Sequence, residues 1–263
     1  CVATRQTMHA DQIEVAIKAG VRGILCDKPL ATTLSEMDRI VAACKNVPLV
    51  FGLDRRWTNT YLHIRETIAS GIVGPVTSLV AYGLPNTINH GCHWYDAMLA
   101  LLNDPEPVWV SGFLEDVSDE PPNSRRRMDP SCCAQIGMDN GVVAYITPTG
   151  PKKPGFEIVG ETGRLTLLAD ATEAYLWQES STSFRTLDLP EPEENWPPGP
   201  AMAQDLVQAV QQGNRTACDI DQARKATEIG FAIHVSSTQN GATTHLPAVD
   251  RSLQVESYPW GNE

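Results

Sequence analysis

The sequence has few basic residues and few aromatic side chains, and it has no long apolar run. Its 263 residues contain 20 lysines and arginines against 32 aspartates and glutamates, which gives a formal net charge of -12. Proteins that bind nucleic acid or an anionic membrane usually carry clustered positive charge. The single basic cluster, at 125–127, is short. No apolar run approaches the roughly 20 residues of a membrane helix. We therefore expect a globular protein with neither a nucleic-acid nor a membrane partner.

The sequence also lacks the cysteine spacing of a metal site or a disulfide framework. Its seven cysteines are scattered, odd in number and without a CxxC pair. Disulfide scaffolds and zinc sites usually show paired, closely spaced cysteines. We expect reduced thiols, a cytoplasmic location and no metal site.

Residues 1–57 alternate between strand and helix patterns. Segments 1–4, 21–29 and 47–54 predict three strands, and the two segments between them have helical spacing. Gly20 is typical of a helix end, and Thr33 with Glu36 has the spacing of a capping box. Strands joined by helices predict a parallel, doubly wound sheet. This first domain is an α/β unit, a partial Rossmann domain.

Residues 58–263 follow a different pattern. A helix that ends at Gly71 is followed by successive strand candidates, with hairpin signals at 138–143 and 160–165, and two helices close the chain. We expect an α+β domain with a large, mostly antiparallel open β-sheet and helices on one face. Because these helices are too few to cover both faces, a second copy of the chain is the natural cover, as a homo-oligomer.

Two segments collect reactive side chains. Lys28 follows a strand, and open α/β sheets bind ligands outside the carboxyl ends of their strands. The plainer interpretation is a solvated lysine at a strand end. Asn89 and His93 lie where a loop runs into a helix, and a histidine can exchange protons near neutral pH. The plainer interpretation there is a histidine that only satisfies local hydrogen bonds. A metal site with Cys92 lacks a third ligand at recognisable spacing.

Several motifs in order resemble the Gfo/Idh/MocA oxidoreductases, a family named for glucose-fructose oxidoreductase and inositol dehydrogenase. The similarity extends over nearly the whole chain, and the combination is more specific than any one motif. The segments that carry it are VAT, ILCDKPLATT, FGLDRRWTNTY, NHGCHWYDAMLALLNDPEPVWVSG, IVGETGRLTL and DLVQAVQQGN.

The resemblance implies a two-domain enzyme that uses NAD or NADP to move hydride at a hydroxyl-bearing carbon of a sugar, cyclitol or related polyol. The family's EKP lysine falls on Lys28, which would hydrogen-bond the substrate oxygen, and Asp27 replaces the usual glutamate. The family's DxGxHxxD pattern begins at Asn89 and places the proton acceptor at His93. Asn89 can orient a substrate but cannot supply the charge of an acid.

The same resemblance assigns a set of residues to the cofactor. It also places Arg55, Arg56 and Trp57, after the third strand, near the cofactor or substrate, and an arginine pair at the seam between the domains is an equally good interpretation. The set is Thr4, Arg5, His9, Asp27, Lys28, Pro29, Arg56 and Trp57.

One element of the family is missing from these residues. No GxGxxG motif occurs, and that turn normally holds the dinucleotide pyrophosphate. The segment 1–4 corresponds to a later strand of the Rossmann domain, so we expect the 263 residues alone to bind NAD(P) weakly or not at all and to show little dehydrogenase activity. The alternative function is a non-catalytic relative that acts as an oligomeric ligand-binding or scaffold protein. In either case we expect a dimer or tetramer formed through the open sheet.

Overall fold

A computed structural model describes residues 1–122, 124–151, 153–191 and 198–256. The helices are α1 (His9–Lys18), α2 (Leu34–Ala43), α3 (Asn59–Ala69), α4 (Gly91–Leu101), α5 (Arg125–Met128), α6 (Pro198–Gln212) and α7 (Ile220–Thr238). The strands are β1 (Ile24–Cys26), β2 (Leu49–Phe51), β3 (Val76–Tyr82), β4 (Pro107–Leu114), β5 (Cys132–Met138), β6 (Val143–Thr147), β7 (Gly155–Gly160), β8 (Gly163–Leu168), β9 (Glu173–Gln178), β10 (Arg185–Thr186) and β11 (Thr244–His245).

The N-terminal part is a small parallel α/β unit. β1 and β2 pair in parallel, and Val2 adds a single parallel bridge to Cys26. The first predicted strand is therefore reduced to one bridge. α2 begins where the sequence predicted, because the Thr33 hydroxyl accepts the N–H of Glu36 at 3.0 Å. Gly20 follows α1 with φ of +85°, a conformation that glycine adopts without a Cβ clash.

The C-terminal part is built on one large sheet. Within the described ranges it has nine strands in the order β10-β9-β8-β7-β3-β6-β5-β4-β11. The two predicted hairpins form, β5 with β6 through Gly141 and β7 with β8. One pairing departs from the antiparallel pattern, since β3 enters the middle of the sheet and pairs in parallel with β6. β11 is a short edge strand that the sequence pattern did not predict.

Helices cover one face of this sheet. α7 packs against β4 and β5, and α4 packs against β3 and α7. Strand positions that face these helices are buried, for example Ala144 and Ile146, whereas Tyr145 between them is 39% exposed. The predicted fold class, a partial Rossmann unit followed by a large open sheet with helices on one face, is confirmed.

The last helices connect the two parts of the chain. α6 contacts β1 and β2, and α7 contacts α2 and β2. The segment after β11 returns to the beginning of α2, where the backbone N–H of Val255 donates to the Thr32 carbonyl at 2.9 Å. These contacts hold the carboxyl end of β1 against the N-terminus of α4. None of the helices within the described ranges has the length and apolar character that a membrane span requires.

Candidate active site

Lys28 lies at the carboxyl end of β1, where the chain turns towards α2. Its ammonium donates a hydrogen bond to Asn89 Oδ1 at 2.7 Å, and its backbone N–H donates to Asp27 Oδ1 at 2.8 Å. Asn89 is only 1% exposed, while Lys28 is half-buried. The structure thus brings together two of the three predicted catalytic residues, from parts of the chain 61 residues apart.

His93 lies in the first turn of α4, beside Lys28 and the short 3-10 helix Asp54–Trp57 that follows β2. Its side chain is 17% exposed. Burial lowers the pKa of His93, the charges of Arg55 and Lys28 lower it further, and Asp54 offsets part of the shift. The imidazole is therefore neutral at neutral pH, as a general base must be before it accepts a proton.

Two groups of opposite charge face Nδ1 of His93. Arg55 Nη1 is 3.2 Å away, within hydrogen-bond distance, and Asp54 Oδ1 is 3.6 Å away, beyond it. Burial raises the pKa of the Asp54 carboxyl, but the nearby His93 ring and the Arg55 guanidinium outweigh this, so its pKa lies below the usual value. Asp54 is therefore ionised next to His93.

Asp129 holds the loop that carries Asn89. Its buried carboxylate accepts the backbone N–H groups of Thr87 at 3.1 Å, Ile88 at 2.9 Å and Asn89 at 3.0 Å. The Tyr95 hydroxyl donates to the Thr87 carbonyl at 2.9 Å. The sequence pattern missed Asp129, because an Asp-Pro pair in a loop gives no sign of partners 40 residues earlier.

The neighbours of His93 in the motif are engaged in local hydrogen bonds. The Cys92 thiol donates to the Asn89 carbonyl at 3.1 Å, and burial raises the pKa of Cys92 to about 12. His90 Nδ1 accepts from the Asn86 side-chain amide at 2.9 Å. Cys92 is therefore a protonated thiol at neutral pH and not a nucleophile.

The predicted cofactor residues of the N-terminal part divide into surface and core. Thr4, Arg5 and Asp27 are exposed, whereas Pro29 is buried. His9 is fully buried, with Nε2 at 3.1 Å from the Thr4 carbonyl and Nδ1 at 3.2 Å from the Leu30 carbonyl. His9 therefore links the loops around the end of β1, and its contact with a cofactor stays a prediction.

Arg56 is buried in an ion-pair cluster. Its side chain is 1% exposed, and it donates to Asp96 Oδ1 and Asp104 Oδ1, each at 2.7 Å. The next residue, Trp57, is half-buried and donates from its indole to Asp205 Oδ2 at 3.1 Å. These contacts favour the alternative interpretation of Arg56, since the guanidinium joins the 3-10 helix to α4. Asp96, the last position of the family pattern, serves the same ion pair.

A cavity of about 360 Å³ lies on the other side of Asp54 and Arg55 from His93, which does not itself line it. Its lining includes Asp54 and Arg55, which contact His93, and Asp170 from the turn between β8 and β9. Arg55 donates to both oxygens of Asp170, at 2.8 and 2.7 Å, and the Tyr61 hydroxyl donates to Asp170 Oδ1 at 2.7 Å. The sequence pattern did not single out Asp170 or Tyr61, because their partners are more than 100 residues away.

Comparisons with known proteins agree with this arrangement. Residues 1–54 match the family model GFO_IDH_MocA, described as an oxidoreductase family with an NAD-binding Rossmann fold. The predicted resemblance is confirmed. The chain is 34% identical over 86 residues to the 1,5-anhydro-D-fructose reductase of Ensifer adhaerens, and 35% identical over 75 residues to the D-apiose dehydrogenase of Paraburkholderia graminis. These matches cover 32% and 28% of this chain but only 26% and 20% of the two relatives. The matched part thus spans about a quarter or less of either relative.

The likeness in fold extends much further along the chain. The structure of levoglucosan dehydrogenase in complex with NADH and levoglucosan matches 94% of this chain and 79% of its own, with a TM-score of 0.76 at 20% identity. At that identity the likeness concerns the fold. The chain therefore has the fold of the Gfo/Idh/MocA oxidoreductases, with both the α/β unit and the large sheet.

Proposed function

We propose that the protein is an NAD(P)-dependent oxidoreductase that moves hydride to or from a hydroxyl-bearing carbon of a sugar, cyclitol or related polyol. The observation that carries the proposal is the hydrogen bond of 2.7 Å from Lys28 to Asn89, next to a neutral His93. A cation and a neutral imidazole at the end of a parallel strand are the groups that alcohol oxidation needs.

Each residue has a distinct role in this proposal. In the direction of oxidation, the substrate hydroxyl gives its proton to His93 while its carbon loses hydride. The Lys28 ammonium donates a hydrogen bond to the substrate oxygen and stabilises the negative charge that develops there. Asn89 orients that ammonium through its side-chain oxygen. The nicotinamide, when bound, accepts or gives the hydride.

The residues present fit the nicotinamide end of a dinucleotide site. The exposed Thr4 and Asp27 lie with Lys28 around the carboxyl ends of the first parallel segments. The 263 residues contain no GxGxxG turn that would hold the pyrophosphate. We therefore assign only the nicotinamide end to this chain.

The cavity beside His93 favours an uncharged, hydroxyl-rich substrate. Asp54, Asp170 and Glu191 contribute carboxylates to its lining, while its one arginine, Arg55, is already bound to Asp170. Sugar hydroxyls can donate to carboxylates, whereas a phosphate or a sugar acid would meet repulsion. We infer a neutral sugar or cyclitol in preference to a phosphorylated one.

Steady-state kinetics with a panel of neutral sugars, cyclitols, sugar acids and sugar phosphates tests the function. Because the 263 residues alone are expected to bind the dinucleotide weakly, the assays use a high concentration of NAD or NADP. We then expect slow reduction with neutral members of the panel, and at least a hundredfold further loss of rate in Lys28→Met and His93→Gln, the usual contribution of such groups. Binding of a neutral sugar without any nicotinamide reduction would instead support the non-catalytic alternative. A preference for sugar phosphates would contradict the inferred substrate class.

We also propose that the protein forms a homo-oligomer in the cytoplasm. The face of the large sheet opposite α4 and α7 exposes Gln135 and Tyr145, which are cross-strand neighbours, and Val80 beside them is half-exposed. A face with aromatic and aliphatic side chains favours cover by the equivalent face of a second copy. All seven cysteines lie within the described ranges as free thiols, which suits a reducing compartment.

A further inference from the structure

We propose that Asp54 is the positioning carboxylate of His93: it accepts the hydrogen of Nδ1 and thereby keeps Nε2 free to take the proton of the substrate hydroxyl. The inference rests on the proposed function and adds a residue to it. The family pattern places an acid at the position of Asn89, and this chain has an amide there.

The first support is an oxygen without a hydrogen-bond partner. Within the described ranges, Asp54 Oδ1 is buried and accepts no hydrogen bond, although it lies 3.6 Å from His93 Nδ1. A buried ionised oxygen left without a donor is costly, and native proteins rarely leave one unpaired. A shift of less than 1 Å would give Asp54 a hydrogen bond from Nδ1–H, within the usual range of N–H···O distances.

The second support is the position of the competing group. Arg55 Nη1 is 3.2 Å from Nδ1, and a guanidinium can only donate, so this contact requires an unprotonated Nδ1. Arg55 has other strong partners, since its Nε and Nη2 bind Asp170 and its guanidinium lies 6.0 Å from the Trp94 ring centroid. His93 therefore has two arrangements: Nδ1 accepts from Arg55, or Nδ1–H donates to Asp54.

Only the second arrangement makes His93 a base at Nε2. A neutral imidazole carries one hydrogen, and if Nδ1 accepts from Arg55 that hydrogen is on Nε2. Nε2 takes no part in a hydrogen bond with the described residues, so it is the nitrogen left for a substrate. A carboxylate that accepts from Nδ1–H selects the productive tautomer, as in other histidine bases.

The other carboxylates near His93 are already bound. Asp96, on the same helix, accepts from Arg56, and Asp170 accepts from Arg55 and Tyr61. The charged groups that act on the imidazole are therefore Asp54 and Arg55 from the 3-10 helix, Lys28 from the end of β1 and Asp96 from α4. Among these groups, Asp54 combines a negative charge with a buried oxygen that accepts no hydrogen bond, and this oxygen lies 3.6 Å from both His93 Nδ1 and Arg55 Nη1.

Nitrogen NMR of the imidazole rings tests the assignment without any need for activity. The protein has six histidines, and His93→Gln identifies the signals of His93 by their disappearance. In the wild type above the pKa of His93, we expect Nδ1 to show the shift of a protonated nitrogen and Nε2 that of an unprotonated one. The reverse pattern, Nε2–H with Nδ1 accepting from Arg55, would overturn the proposal.

Three variants should change the pKa and the tautomer of His93 in defined directions, and a fourth serves as a control. Asp54→Asn removes the anion with little change in shape, and we expect the pKa of His93 to fall and the Nε2–H tautomer to increase. Arg55→Gln removes the competing donor, and we expect the opposite changes. Asp54→Glu keeps the charge and should restore the wild-type tautomer at least in part. Asp116→Asn, in an exposed loop after β4, removes the same charge from the surface and should leave His93 unchanged.

The outcomes separate this inference from the proposed function. If Asp54→Asn leaves the tautomer and the pKa of His93 unchanged while its amide spectrum remains that of a folded protein, Asp54 is not the positioning group. If the NMR results agree but no sugar is oxidised, the pairing stands and the proposed function fails. If the amide spectrum of Asp54→Asn loses its dispersion, the variant is unfolded and Arg55→Gln becomes the deciding variant. A rise in the pKa of His93 in Arg55→Gln supports the pairing, and no rise contradicts it.

Discussion

Lys28 donates a hydrogen bond of 2.7 Å to Asn89 Oδ1, and this contact joins the end of the first parallel strand to the loop before α4. The backbone of each residue is also fixed by a carboxylate. Asp129 accepts the backbone N–H of Asn89, and Asp27 accepts the backbone N–H of Lys28. The ammonium is thus directed to a fixed point beside His93. This is the arrangement that a group must have if it is to stabilise charge on a substrate oxygen.

Replacement of Lys28 tests that role. In Lys28→Met the side chain keeps its length but loses its charge, and we expect the rate of hydride transfer to fall by about a hundred to a thousandfold. Lys28→Arg should retain part of the activity, because a guanidinium still donates hydrogen bonds. Lys45→Met removes an exposed lysine after α2 and should have no effect. Steady-state kinetics of the four proteins makes the comparison.

His93 should make the stability of the protein depend on pH. Burial lowers its pKa in the folded state below the ordinary value of 6.5, so the unfolded chain binds a proton first as the pH falls. The free energy of unfolding should therefore decrease as the pH falls through about 6.5 and continue to decrease down to the folded pKa. Urea unfolding between about pH 8 and 5 should show a shallower dependence for His93→Gln than for the wild type.

The matched control for this experiment is His245→Gln, which removes an exposed histidine from β11. Its pH dependence should follow that of the wild type. Equal slopes for the wild type and His93→Gln would mean that the folded environment does not disfavour the charged imidazole, and the case for a neutral base would fail.

Arg56 should contribute strongly to stability. Its guanidinium is buried between Asp96 and Asp104, and burial raises the pKa of Asp96 against the opposing effect of Arg56. Arg56→Met leaves Asp96 buried without its partner, and breaking such a pair costs about 3 to 5 kcal/mol. Arg39→Met removes an exposed arginine that binds Asp11, and should lower the free energy of unfolding far less. Urea or guanidinium unfolding measures both.

The open face of the sheet should be covered in solution. Tyr145→Glu places a charge in the middle of this face, and we expect light scattering to show smaller particles than the wild type. Val207→Glu changes a side chain that is 53% exposed on α6 and should leave the assembly unchanged. Cys133 gives a second measure, because it is exposed in the single chain and lies beside Gln135 on the same strand face.

Thiol labelling can test whether Cys133 is covered in the assembled protein. In the oligomer we expect Cys133 to react slowly and Cys1, the other exposed thiol, to react rapidly. In Tyr145→Glu both should react rapidly. Rapid reaction of Cys133 in the wild type, together with the mass of a single chain, would contradict an interface on this face.

Much of the fold could be predicted from the sequence because its signals are local. The Thr33 cap starts α2 and the Asn140–Gly141 pair turns β5 into β6, and each of these acts within a few residues. The parallel pairing of β3 with β6 depends on where β3 enters the sheet, which no local pattern records. The same is true of β11, whose two residues pair with a strand more than 100 residues earlier.

The residues of the candidate site likewise fall into those with a local sequence signal and those without one. Lys28, Asn89 and His93 could be found from a strand end and a family pattern. Asp54 and Asp129 could not, because their importance lies in contacts with residues about 40 positions away. For Arg56 the sequence left two interpretations open, a ligand contact and a place at the domain seam, and its burial between two carboxylates favours the second.

The most direct test of the account is single-turnover nicotinamide reduction with a neutral sugar or cyclitol substrate. It compares the wild type with Lys28→Met and His93→Gln, after all three proteins have been shown to be folded. At a high concentration of NAD or NADP, which offsets the weak binding expected without a glycine-rich turn, the account predicts slow reduction by the wild type. Both variants should react at least a hundredfold more slowly still, because each has lost a group that acts on the reacting hydroxyl. Equal rates in the three proteins would contradict the assignment of Lys28 and His93 as catalytic residues.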